Sequence, residues 1–168
     1  PPTPTDFGRA IMSIPTQESS IPLVCAVDRD RDLLPIYRSV VEGQGLRLRF
    51  FTSTSELREE VSLSRIMALL LDVEADCNHS LSLQRDLLKQ EVPPSVILTT
   101  EDRHDDGVIE SLELGALAVL PRPWIPERMS QHLAHAEIQY RERRKLNCKL
   151  LAFRQVLEDL TERQRKVL

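Results

Sequence analysis

From Pro22 onward, short apolar runs alternate five times with amphipathic segments, and this alternation limits the folds open to the chain more than any other feature. "PLVCAV" precedes "LLPIYRSVVEGQG", where Leu33, Tyr37 and Val40 share one helical face; "LRLRFF" precedes "STSELREEVS"; "IMALLLDV" precedes "LSLQRDLLKQ"; "SVILTT" precedes "DDGVIESLELG"; and "ALAVLP" precedes a long helix from about Pro126. Five strands, each followed by a helix, predict an α/β fold. Its sheet is five-stranded, parallel and doubly wound, because parallel strands need crossovers and right-handed crossovers dominate. "IMALLL" and "SVIL" are apolar throughout, as strands covered on both faces must be.

Punctuation agrees with this reading. Gly43 and Gly45 end the first helix, and Asp30 or Asp32 is expected to cap its start, ahead of Pro35. Thr52 or Ser53 caps the second helix, Pro93 and Pro94 precede the fourth strand, and Gly115 closes the fourth helix. Aromatic residues make up only 4% of the chain, so the interior has to be aliphatic. Residues 1–20, rich in Pro, Ser and Thr, are expected to form a flexible leader, and residues 21–136 the globular unit. No apolar run reaches the roughly 18 residues of a membrane span, and Cys25, Cys77 and Cys148 lack zinc-site or disulfide-framework spacing. These features predict a soluble, cytoplasmic protein with reduced thiols and no membrane partner.

In an open parallel sheet, ligands gather beyond the carboxyl ends of the strands. Asp28 ends the first strand, Asp72 the third, Thr99 and Thr100 the fourth, and Arg122 follows the fifth. Residues far apart in sequence are therefore expected to converge there.

This constellation resembles the receiver domain of two-component response regulators, with a flavodoxin-like fold, over roughly Pro22 to Ala136. "AVDRD" stands where the family has an acidic pair, "LLLDV" puts Asp72 at the phosphoacceptor position, "VILTT" puts Thr100 at the hydroxyl position, and "LGALAVLPRPW" matches the last strand and its basic-Pro loop. The resemblance implies a carboxylate nucleophile, a magnesium ion held by the acids, and a hydroxyl and a lysine on the phosphoryl oxygens. A cation at such a site has a plain physical purpose. Two like charges about 4 Å apart repel by roughly 4 kcal/mol at an effective dielectric of about 20.

Several supporting positions depart from the family pattern. Arg29 occupies the second acidic position and weakens the expectation of magnesium, whose ligands would be Asp28 and Asp72 with Glu74 in the same acidic pocket. Two readings of Arg29 stand: a solvated residue pairing with Asp32 or Glu74, or an internal counter-ion for Asp28 and Asp72. Arg122 replaces the lysine and keeps its charge, though not its shape. After Asp72, "VEADCNHS" lacks the usual Met-Pro turn and glycine, Glu101 follows Thr100 where a small residue is normal, and Val119 stands where many receivers carry a Tyr or Phe switch. With Pro123, Glu101 and Val119 make up the expected switch region.

The last segment runs on without Gly or Pro through 137–160, with Leu146, Leu150, Phe153, Leu157 and Leu160 at alternating spacings of four and three. That is a heptad seam, and it predicts a helical linker that pairs two copies as a homodimer. Residues Arg141 to Leu168 carry nine Lys or Arg against four Asp or Glu, a net +5, which leaves −9 for the rest of a chain whose total is −4. The closing "LEDLTERQRKVL" resembles the start of a LuxR-type helix-turn-helix domain, so 161–168 are expected to open an output domain whose DNA contacts lie beyond Leu168.

Taken together, these features predict an atypical receiver, not an enzyme, that signals to a DNA-binding domain without orthodox magnesium-dependent phosphorylation and needs no cofactor. The alternatives are a functional phosphoacceptor, modified on Asp72 by a histidine kinase, and a plain protein-interaction module.

Overall fold

The structure, a computed structural model, describes residues 21–75, 77–102 and 104–167. The leader, Asp76 in the loop after Asp72, and Leu168 lie outside the described residues. Five strands, β1 (Leu23–Val27), β2 (Arg47–Phe51), β3 (Ile66–Asp72), β4 (Ser95–Thr100) and β5 (Ala118–Pro121), form one parallel sheet in the order β2-β1-β3-β4-β5. Between them run α1 (Leu34–Glu42), α2 (Thr54–Glu60), α3 (Cys77–Leu88) and α4 (Asp106–Glu113), and α5 (Pro126–Val167) follows the last strand. No described helix is long and apolar enough to cross a membrane.

The period-two alternation of side chains in each strand divides the interior into two layers. On one face Val24, Ala26, Met67, Leu70, Ile97 and Leu120 pack against Tyr37, Val40 and Val41 of α1 and Met129, Leu133, Ala136 and Tyr140 of α5. On the other, Cys25, Val27, Leu69, Leu71 and Leu98 meet Leu57, Leu83, Leu87 and Val108 of α2, α3 and α4. Every residue of β3 and β4 is buried, as their apolar composition requires. Each fully buried Leu there stabilises the fold by roughly 1.5–3 kcal/mol.

Local signals hold with three adjustments. Ser53 caps α2 by accepting from the Glu56 amide, while Gly45 and Gly115 take the positive φ values (73° and 89°) that turn the chain after α1 and α4. The expected acidic cap of α1 is displaced by one short element. Asp30 caps a 3₁₀ turn, Arg31–Leu33, by accepting from the Asp32 amide, and α1 itself starts from Leu33 with no side-chain cap, its Pro35 in the first turn where no hydrogen bond is lost. α3 begins at Cys77, four residues before the expected "LSLQRDLLKQ". No Gly or Pro opposes the extra turn, and it buries Ser80 on the face that carries Leu83, Gln84 and Leu87. β5 covers only the last four residues of "ALAVLP".

The long helix leaves the domain gradually. Beyond Tyr140, the Arg143 guanidinium donates to the Pro93 carbonyl at 2.7 Å and the Asn147 amide lies 3.4 Å from the Glu91 carboxylate. Along this stretch and beyond it Leu146, Leu150, Phe153, Leu157 and Leu160 are 47 to 62% exposed.

Candidate functional site

β1 and β3 are neighbours in the sheet and end at the same edge, so Asp28 and Asp72 come together as buried carboxylates, 0% and 2% exposed. β4 lies beside β3, with Thr99 in register with Asp72, and β5 delivers Arg122 from the far side, its amide donating to the Thr100 carbonyl at 2.8 Å. Sequence order is irrelevant at this edge; strand order decides which residues meet.

Arg122 is the centre of the site. One guanidinium nitrogen, Nη2, lies 2.6 Å from Asp28 Oδ2, 3.3 Å from Asp72 Oδ1 and 3.3 Å from the Thr99 hydroxyl. The two acids therefore share one covalently tethered cation. Burial works against that charge, but Asp72 and Asp28 together hold the guanidinium above its ordinary pKa. Its Nε is buried without a hydrogen-bond partner among the described residues.

Tyr37 completes the coordination of Asp28. The ring is fully buried between Phe50 and Trp124, with centroids 5.9 and 5.1 Å away, and its hydroxyl donates to Asp28 Oδ2 at 2.9 Å. Burial, with the negative Asp28 beside it, pushes the phenol pKa far up, so the hydroxyl remains a donor. The Asp30 amide donates to Asp28 Oδ1 at 2.9 Å, so both oxygens of this carboxylate are engaged.

Asp72 is less well compensated. Among the described residues only the Glu74 amide, at 3.2 Å, and Arg122 approach Oδ1, and burial pushes the carboxyl up to about 6 against the pull of Arg122.

Glu74 and Thr100 pair with each other across the rim. The Glu74 carboxylate accepts the Glu101 amide at 2.7 Å and lies 3.3 Å from the Thr100 hydroxyl, which itself donates to the Asp102 carbonyl at 2.8 Å. The loop after β3, a 3₁₀ turn at Val73–Ala75, is thereby fastened to the loop after β4 by a carboxylate from the chain itself.

Neither reading of Arg29 holds in full: it is solvated but pairs with neither Asp32 nor Glu74, and it is not the counter-ion of Asp28 and Asp72. Arg29 is exposed, and its side chain makes no hydrogen bond or ion pair with a described residue. The cation beside Asp28 and Asp72 is Arg122 instead. Glu101 and Pro123 are exposed at the mouth, with the Arg122–Pro123 peptide cis, and Val119 is half-buried against the α2, α3 and α4 layer. Reading the sequence missed Tyr37 as a site residue and gave Thr99 no role. The available signal was a Tyr on an otherwise aliphatic buried face, since a buried phenol needs a polar partner.

The acids do not fit a magnesium ion well. That ion wants near-octahedral oxygen ligands, yet both Asp28 oxygens accept hydrogen bonds, position 29 offers an exposed guanidinium in place of a carboxylate, and the Glu74 carboxylate is committed to Glu101. Among the described residues no group of three or more His, Cys, Asp or Glu is arranged to hold an ion.

No protein-family model and no curated protein sequence matches the chain. Solved structures do match. The response regulator StyR superposes with a TM-score of 0.75 at 20% identity, covering 87% of this chain and 74% of that one. A response regulator receiver protein from Burkholderia phymatum is 26% identical, with a TM-score of 0.57 over 69% of this chain and 94% of its own, and a response regulator from Thermotoga maritima is 21% identical, with a TM-score of 0.58 over 70% and 98%. The chain has the fold of a response-regulator receiver domain. Within that fold, strand-end acids, Thr100 and Arg122 occupy one rim, while the 87% overlap with StyR takes in more than the globular unit alone.

Proposed function

We propose that this receiver works as a response-regulator signalling module whose state is set without orthodox magnesium-dependent phosphorylation. The observation that carries the reading is the single Arg122 nitrogen shared by Asp28 and Asp72. A divalent ion at such a rim offsets clustered negative charge and can be recruited or lost; a tethered guanidinium offsets the same charge permanently. Glu74 adds to this by placing a fixed carboxylate on the Glu101 amide, a donor that would otherwise face an incoming anion. Asp72 then acts as a structural carboxyl of shifted pKa rather than as a nucleophile, and the chain is not an enzyme in this reading.

The output passes through α5. Its exposed seam of Leu146, Leu150, Phe153, Leu157 and Leu160 pairs two copies, and the resemblance of the last residues to a LuxR-type domain favours a DNA-binding output beyond Leu168 that this pairing would organise. A histidine kinase is then a partner for contact rather than for phosphoryl transfer.

Mass spectrometry after incubation with acetyl phosphate and magnesium tests the central claim, and no adduct is expected. A stable, magnesium-dependent phosphoryl adduct that disappears in Asp72→Asn would establish the phosphoacceptor reading instead.

A further inference from the structure

A cleft of about 670 Å³ opens beside the carboxylate rim, between the start of α1 and the loop from β5 to α5. That volume falls within the roughly 300–1,000 Å³ typical of small-molecule sites. Its walls are apolar: Leu33 and Ile36 on one side, Pro123 and Trp124 on the other, with Ile36 41% exposed despite its size. Asp30 and Glu101 stand at the cleft as exposed carboxylates. Among the described residues the one cation lining it, Arg122, is already shared by Asp28 and Asp72, so the balance of described charge facing a ligand is negative.

We propose that this cleft binds a small organic amine, its aromatic or aliphatic body lying between Trp124 and Ile36 and its ammonium group facing Asp30 and Glu101. Complementarity of shape and of charge both select that class. An indole face attracts a cation as well as an apolar ring, and two carboxylates reject an anion of the same shape.

The cleft is also wired to the rim. Trp124 packs on Tyr37, whose hydroxyl holds Asp28, and Arg122 lines the cleft while bridging Asp28 to Asp72. An occupant pressing on Trp124 and Arg122 therefore acts on both groups that position the acids. Its service as the input signal rests on the phosphate-independent reading above; binding itself does not, so a phosphoryl adduct on Asp72 would leave the site standing.

Trp124 is the only tryptophan of the chain, so its fluorescence reports occupancy directly. Three probes of nearly equal shape decide the matter on the full chain: 2-phenylethylamine, 2-phenylethanol and 3-phenylpropanoate. The amine is expected to give a saturable change with a Kd about tenfold below that of the alcohol, and the carboxylate to give none. Asp30→Asn with Glu101→Gln should bring amine and alcohol together, and Ile36→Lys, at an exposed position, should abolish binding by placing an ammonium in the cleft. Equal affinity for all three probes, preference for the carboxylate, retention of binding in Ile36→Lys, or no saturable signal up to roughly 10 mM amine each overturns the proposal.

Discussion

Replacing Asp72 by Asn should make the protein more stable, by an amount that depends on pH. The carboxyl is raised from the ordinary 3.8 to about 6, chiefly by burial, so the folded state holds this proton more tightly than the unfolded state does. Between about pH 4 and pH 6 the folded protein binds more protons, and the stability it draws from Asp72 falls as pH rises through that window. Above it the penalty is complete and equals the whole shift, about 3 kcal/mol at 1.36 kcal/mol per unit. Asn has nearly the shape of the protonated acid and escapes the penalty. No separate correction for the lost ion pair is needed, because the value of about 6 already includes the pull of Arg122. Urea unfolding followed by circular dichroism gives the measurement. At about pH 8 the variant should gain about 3 kcal/mol, a midpoint shift of roughly 1–3 M at the usual slopes, and at about pH 5 only about half of that. A variant no more stable than its parent at the higher pH, or one whose gain is the same at both, would refute the argument that burial rather than ion pairing governs this carboxyl.

Removing the shared cation is expected to do the opposite: Arg122→Ala leaves two buried carboxylates uncompensated and should cost about 3–5 kcal/mol near neutrality, measured by the same unfolding assay, with the loss shrinking as acid protonates Asp72. Tyr37→Phe removes a donor to a buried carboxylate and should cost roughly 1.5–3 kcal/mol. Glu74→Gln weakens the acceptor of the Glu101 amide, so hydrogen exchange at that amide should accelerate while amides of β3 and β4 keep their protection. Along the α5 seam, sedimentation should reveal a concentration-dependent dimer that is lost in Leu150→Asp with Leu157→Asp. Lys149 and Arg154 flank that seam with like charge, so the dimer should tighten as salt is raised from about 0.05 to 0.5 M.

The layered fold was legible because each of its elements is specified locally. "IMALLLD" can be nothing but a doubly covered strand, Ser53 and Gly115 mark boundaries by chemistry that a few neighbouring residues complete, and five repeats of strand then helix leave one economical topology. The errors fell where local rules compete. At the start of α1, Asp30 serves both a 3₁₀ turn and the approach to Pro35, and one side chain cannot cap two elements. At α3 nothing in "CNHS" forbids another helical turn, so burial of Ser80 beside Leu83 and Gln84 decided a boundary that periodicity alone could not place.

The site was legible by position but not by partnership. Asp28, Asp72, Thr100 and Arg122 had to meet once strand order was known, yet which cation serves the acids turns on the direction of side chains. Arg29 is next to Asp28 in sequence, yet it lies in the bend after β1 and is exposed, while Asp28 is buried. Arg122 is 94 residues away and arrives through β5, two strands across from β3, at the height of the strand ends. Inside β4 strand alternation separates Thr99 and Thr100: adjacent and chemically alike, one faces Arg122 and the other turns to Glu74 and the loop beyond. Exchanging the two side chains' chemistry should therefore have unequal effects. Thr99→Val removes a weak partner of a guanidinium that keeps two carboxylates, and should cost under about 1 kcal/mol, whereas Thr100→Val leaves the Asp102 amide without its acceptor and frees the loop. If urea unfolding finds the two variants equal and hydrogen exchange in the loop after β4 is unchanged in Thr100→Val, the hydroxyl at position 100 is not the group that fastens this rim.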